Sequence, residues 1–311
     1  MNIQHLMIVI DPTTDLEQPC MHRAEQLAAS YPGARFTLFM SEYIAALDGG
    51  ALFDTKGLAK ARQSLLDHRQ VQLDRLAQPL RRRGFTVDTS AVWGKRFERH
   101  ILQAISELQP DLVLKTTHRH GLLKRLVLNN TDWYLIRHCA VPLWLVKQPE
   151  TEFKSFCASV DPLHEADKPA ALDSKLVAIT RALASATGAD FQVVHCYSPL
   201  PHTLAFDAGL IADYEGYTAD VERYHAEGFR SFTASEGIAE DRQHLLRGYP
   251  EQVIPDYVEQ NNISLLVMGA ISRSRLESAL VGHTAERLLD EVACDLLIVK
   301  PDGFVDPSKP T

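Results

Sequence analysis

At 311 residues the chain is long enough for two domains, each able to bury a core of its own. Its apolar share of 45% and charged share of 23% are those of an ordinary globular protein, which excludes a low-complexity or disordered chain. A net charge of −8 argues against direct nucleic-acid binding, and no apolar run approaches the length a bilayer span needs.

In chain order, Leu6 to Ile10 reads as a buried strand that stops at Asp11-Pro12. A helical pattern through Ala24, Leu27 and Ala28 ends near Pro32-Gly33, and Phe36 to Met40 is a second strand. Leu47-Asp48-Gly49-Gly50 breaks regular structure, and a long amphipathic helix follows from about Leu58 to Leu80. Arg81-Arg82-Arg83 closes it, where cations favour the carbonyl end of a helix over any role in holding phosphate. A third strand runs from Phe85 to Trp93, a helix from Phe97 to Leu108, and a fourth strand from Asp111 to Lys115. Beyond a loop holding His118 and His120, a helix reaches Cys139, and Pro142 to Lys147 is the fifth strand.

After a polar linker the same order starts again. Phe156 to Val160 ends in Asp161-Pro162, a helix spans Leu172 to Leu183, and Phe191 to His195 is a strand. A loop with Pro199-Leu200-Pro201 leads to a helix over Val221 to Phe232, and a weak strand lies near Arg242 to Leu246. Gly248 to Glu251 opens a helix with Val253, Ile254 and Val258 inward. Leu265 to Met268 and Leu296 to Val299 are the last two strands. Asp11 pairs with Asp161, Gly94 with Gly248, Leu112 to Lys115 with Leu265 to Met268, and Val146 with Val299. This alternation predicts an α/β fold of two tandem doubly wound, Rossmann-like domains with parallel five-stranded sheets, over residues 1–149 and 150–311. Ligands in such sheets bind beyond the C-terminal strand ends, where Asp11 and Asp161 stand.

From Leu265 to Val299 the layout is strand, glycine-bearing loop, helix and strand, and the helix entrance offers unpaired N–H groups to an anion. Gly269, the loop, Gly282, Thr284 and Ala285-Glu286 resemble the signature of the universal stress protein family: glycine, two residues, glycine, nine residues, then glycine and Ser or Thr. Ser272 replaces the second glycine, Arg275 replaces a small residue, and His283 displaces the hydroxyl by one place. The resemblance to tandem members covers essentially the whole chain and includes Thr131-Asp132-Trp133 and Pro250 to Asp256.

The resemblance implies a stress-response protein without an established reaction, tied to survival under starvation, oxidative stress and DNA damage, and to motility and adhesion. It implies a ligand site in the second half, where the candidate residues are Asp161, His195, Gly269, Ser272, Arg273, Arg275, Gly282, His283 and Thr284. The ligand is a nucleotide, ATP above all, or a lipid-like molecule in an apolar cavity beside Pro199 to Leu210. In the first half Lys115 stands in the place of Gly269 and no glycine precedes Asn129-Asn130-Thr131, so no ATP is expected there. Single-domain members dimerise through the fifth strand. Here Leu143 to Val146 and Leu296 to Val299 are expected to pair within one chain as an intrachain pseudo-dimer, and a homodimer of two chains stays open.

Several residues carry two readings. Asp11 and Asp161 are either ligand contacts or caps of the helices that follow. His195 either lines the crevice or packs at a strand end. His118 and His120 lack the further ligands a metal needs and read as loop or interface residues. Trp133 and Trp144 read as core or interface anchors. Five scattered cysteines, never spaced Cys-x-x-Cys, disfavour disulfides and zinc and fit a reducing compartment. With no signal-peptide layout at Met1, a cytoplasmic location is expected. No nucleophile elbow, zinc-protease motif or phosphate loop of the Gly-x-x-x-x-Gly-Lys type is present, so no catalytic residue and no metal site is assigned. The expected function is a non-enzymatic ligand-binding module, with an ATP-binding or ATP-hydrolysing switch as the rival.

Overall fold

The computed structural model describes residues 2–14, 18–48, 55–117, 130–147, 152–164, 171–201, 204, 211–269 and 288–306. The chain divides into two compact units. The first holds residues 2–151, 295–298 and 305–311, and the second holds 152–294 and 299–304.

In the first unit β1 (His5–Val9), β2 (Arg35–Glu42), β3 (Val87–Trp93), β4 (Leu112–Thr116) and β5 (Leu143–Val146) are parallel, in the order β3-β2-β1-β4-β5. The helices between them are α1 (Pro19–Ser30), α2 (Thr55–Arg82), α3 (Phe97–Leu108) and α4 (Asn130–His138). The central strands are apolar runs buried along their whole length, as sheets covered by helices on both faces require. β3 is the outer strand and only half-buried. Proline at the first turn of α1 gives up an N–H that would have no partner there. Arg81, at the end of α2, donates to the Val87 carbonyl and to Asp74, which ties the end of the helix to the start of β3.

The unit gains a sixth, antiparallel strand, β10 (Asp295–Ile298), which pairs Leu296 with Leu145, Leu297 with Trp144 and Ile298 with Leu143. The expected pairing of the two fifth strands is therefore present. Charge fixes it as well as backbone. Arg23 of α1 and Asp295 are both fully buried, with Nε 2.8 Å from Oδ2. Trp144 Nε1 donates to the same oxygen at 2.9 Å, and the Lys147 amide donates to Oδ1 at 2.8 Å.

In the second unit β6 (Ser155–Val160), β7 (Asp190–Tyr197), β8 (Gln243–Arg247) and β9 (Ile263–Met268) are parallel in the order β9-β6-β7-β8. Its helices are α5 (Ala171–Thr187), α6 (Tyr214–Ser235) and α7 (Pro250–Gln260).

Register makes the repeat explicit. His5 faces Arg35 in the first unit, and Ser155 faces Asp190 in the second. Counting from there, Glu42 corresponds to Tyr197, and each carbonyl accepts from the glycine that opens the next turn: Gly94 at 3.0 Å and Gly248 at 2.8 Å. The first helix of each half also reaches back to the strand-end aspartate. Gln18 Oε1 accepts from the Asp11 amide at 3.2 Å, and Asp173 Oδ1 from the Asp161 amide at 3.1 Å. The cysteines are all free, and every one but Cys196 is buried, as small apolar residues would be.

Candidate functional site

The second unit's crevice lies where its strand order reverses. β7 flanks β6 on one side and β9 on the other, so Asp161 at the end of β6 and Gly269 at the end of β9 face the point where such sheets take ligands. The Asp161 side chain is 50% exposed, with Oδ1 4.0 Å from Nδ1 of His195.

His195 is 1% exposed, held against the Val160 carbonyl through Nδ1 at 3.1 Å and against His225 Nδ1 through Nε2 at 2.8 Å. A carbonyl can only accept, so His195 carries its proton on Nδ1 and receives a hydrogen bond from His225 at Nε2. His225 in turn stacks on Tyr197, with ring centroids 5.4 Å apart. Burial pushes the pKa of both histidines down; for His225 the charge of His195 adds to it, while Val160, Asp161 and Asp173 pull His195 partly back. His195 is thus both a strand-end packing residue and the buried floor beside Asp161. The sequence had no signal for His225, because α6 carries it in register with β7 only after folding.

A Cβ on Gly269 would sit 2.9 Å from Leu172 Cδ2 of α5, so a side chain there would have to displace the end of Leu172. The remaining candidates, Ser272, Arg273, Arg275, Gly282, His283 and Thr284, lie outside the described residues, as do His118 and His120. Among the described residues no group of His, Cys, Asp or Glu is placed to hold a metal ion.

In the first unit the same crevice is built differently. Asp11 Oδ1 accepts from both the amide and the hydroxyl of Thr13 at 2.7 Å, so this carboxylate shapes a turn and caps no helix. Leu114 faces Ile8 as Val267 faces Ala158, so the residue corresponding to Gly269 is Thr116 and not Lys115. The Thr116 hydroxyl accepts from the Cys20 amide at 3.0 Å. Lys115 corresponds to Met268, and its Nζ pairs with the buried Asp132 at 2.6 Å while donating to the Thr116 carbonyl. What remains is a cavity of 140 Å³ with Ile10, Pro12, Phe97 and Ile101 among its walls. That volume suits one ring, far short of a nucleoside triphosphate.

Two repeated α/β units, each with its crevice at the reversal of strand order, define a tandem protein of the doubly wound, Rossmann-like class. The family model described as the universal stress protein family matches residues 2–147 and 167–300. The chain belongs to that family. It is 30% identical to universal stress protein E of Escherichia coli strain K12 over 306 residues, covering 98% of this chain and 96% of that protein. It is likewise 30% identical to universal stress protein E of Photorhabdus laumondii over 313 residues, covering 99% and 98%. Among solved structures it is similar to the functionally unknown protein PA1789 from Pseudomonas aeruginosa PAO1, with a TM-score of 0.74 at 23% identity, covering 97% of this chain and 94% of that one. A universal stress protein from Archaeoglobus fulgidus DSM 4304 shares the fold at a TM-score of 0.60 and 12% identity, covering 95% and 98%. No described helix is long and apolar enough to cross a membrane.

Proposed function

We propose that this chain is a non-enzymatic, cytoplasmic stress-response module whose second half binds a small-molecule ligand beside Asp161 and His195. The observation carrying this reading is the place of Asp161: its carboxylate is half-exposed at the strand-order reversal, with Oδ1 4.0 Å from Nδ1 of the buried His195. A carboxylate so placed accepts from a hydroxyl or amino group of a ligand, and the buried His195, hydrogen-bonded to the half-buried His225, forms a fixed, neutral wall beside it. No described residue there pairs a nucleophile with a base, which supports binding rather than turnover.

The rival reading is an ATP-responsive switch. Asp161 is the residue that favours it, because a ribose offers adjacent hydroxyls to a carboxylate. Gly269 does not discriminate, since its close approach to Leu172 is common to both readings. If ATP binds, Asp161 orients the sugar, and the phosphates fall to the loop holding Ser272, Gly282 and Thr284. The cellular role that accompanies either reading is survival under starvation, oxidative and DNA-damaging stress, with motility and adhesion.

Mass spectrometry of small molecules released from the purified native chain tests both. A non-nucleotide ligand, reduced in Asp161→Ala, supports the leading reading. Co-purifying ATP, or magnesium-dependent ADP release, supports the rival. Full retention of the ligand by Asp161→Ala removes the crevice from both.

A further inference from the structure

We propose that the first unit binds a single aromatic ring carrying an ammonium group in a second cleft, between β2, β3 and α3. The second unit contains the same place already filled. α7 buries Ile254, Tyr257 and Val258 with the spacing at which α3 buries Ile101, Ala104 and Ile105, so Tyr257 corresponds to Ala104. Strand register pairs Gln192 with Thr37 as the third residue of β7 and β2. His244 faces Val194, and Ser90 faces Phe39 at the matching position, so His244 corresponds to Ser90.

In the second unit these three side chains form one plug. The Tyr257 hydroxyl donates to Gln192 Oε1, and its ring lies 5.2 Å from that of His244. In the first unit every one of the three is smaller: Thr37, Ser90 and Ala104. Phe39 in place of Val194 and His100 in place of Val253 return part of the lost volume, and Phe39 serves as the floor. The result is a cleft of 340 Å³, within the range of small-molecule sites, and it shares no lining residue with the crevice cavity. The shape missing from it is that of a phenol ring, the side chain present in the other copy.

Charge decides the substituent. Asp88 and Glu107 line the cleft and no lysine or arginine does. A ring bearing an ammonium group meets these carboxylates, whereas a carboxylated ring is repelled by them. The Thr37 hydroxyl, 2.9 Å from His5 Nε2, stands on the cleft floor and is a hydrogen-bond partner for a ring hydroxyl, as Gln192 is for Tyr257.

Tyramine is the probe, with 4-hydroxyphenylacetate as its anionic counterpart, read by amide NMR shifts of the full chain. Saturable tyramine binding is expected, with the largest shifts in β2, β3 and α3. Ala104→Tyr, which restores the plug, is expected to weaken it at least about ten-fold while raising the melting temperature, and Asp88→Asn to weaken it by a smaller factor. Should Ala104→Tyr fail to fold, Ser90→His on the half-buried outer strand blocks the same space. The proposal is overturned by no saturable shift below about 10 mM tyramine, by equal binding in the plugged variant, or by 4-hydroxyphenylacetate binding as well as tyramine.

Discussion

Asp295→Ala is the sharpest test of how the first unit captures β10. The substitution strands the Arg23 guanidinium, which is fully buried, and removes the acceptor of the Trp144 indole and of the Lys147 amide. Removing one partner of a buried ion pair costs about 3–5 kcal/mol, because the remaining charge loses its ionic partner where water does not reach, and the Gln26 amide that also accepts from Arg23 carries no charge. At about 2–4 °C per kcal/mol for a unit of 150–250 residues, the melting temperature should fall by roughly 6–20 °C. Urea titration followed by Trp fluorescence reads the same loss as a lower midpoint. Arg23→Met on its own leaves Asp295 with two of its donors, so it should cost less. Combined with Asp295→Ala it removes the stranded charge, and the double variant should recover about 2 kcal/mol relative to the sum of the singles. A loss under about 1 kcal/mol for Asp295→Ala, or strict additivity of the two changes, would refute the account.

Three further outcomes are expected. His195 and His225 both have lowered pKa values, so the unfolded chain takes up protons first as pH falls below about 6.5, and folding stability drops from there towards their folded values. His225→Gln, whose amide still donates to His195, should flatten the fall in melting temperature between pH 7 and 5; an unchanged slope rejects this assignment, His5 and His244 accounting for a residual one. Gly248 has φ +142, and an added Cβ would meet Val253 at 2.4 Å, so Gly248→Ala should cost about 1–3 kcal/mol by denaturant titration. Gly94→Ala meets the His100 ring, with no positive φ to strain the backbone; it should displace His100 from Ser41, visible as a shift of the His100 ring signals, and an unmoved ring contradicts that packing.

The fold was legible because strand ends are marked chemically. Asp11-Pro12 and Asp161-Pro162 stop apolar runs at the same point, and Gly94 and Gly248 turn the chain at the same register. Buried parallel strands need continuous apolar residues, and those are visible in one dimension. The expected pairing of the two fifth strands was also readable, since an apolar edge needs cover. Reading the crevice residue by residue was harder. The strand pairing of Leu112 to Lys115 with Leu265 to Met268 holds on the ladders, but the comparison of the loops put Lys115 in the place of Gly269, where Thr116 stands, because a strand end shifts by one residue without changing the apolar pattern.

Sequence alone determined the class, the duplication and the family, since these rest on period, spacing and punctuation along the chain. The tertiary structure decided who meets whom: Arg23 with Asp295 across 272 residues, His195 with His225, and Tyr257 filling a space that Ala104 leaves open. Such contacts are set by helix rotation and strand register together, and no pattern within one segment encodes the residue that a distant segment will bring beside it.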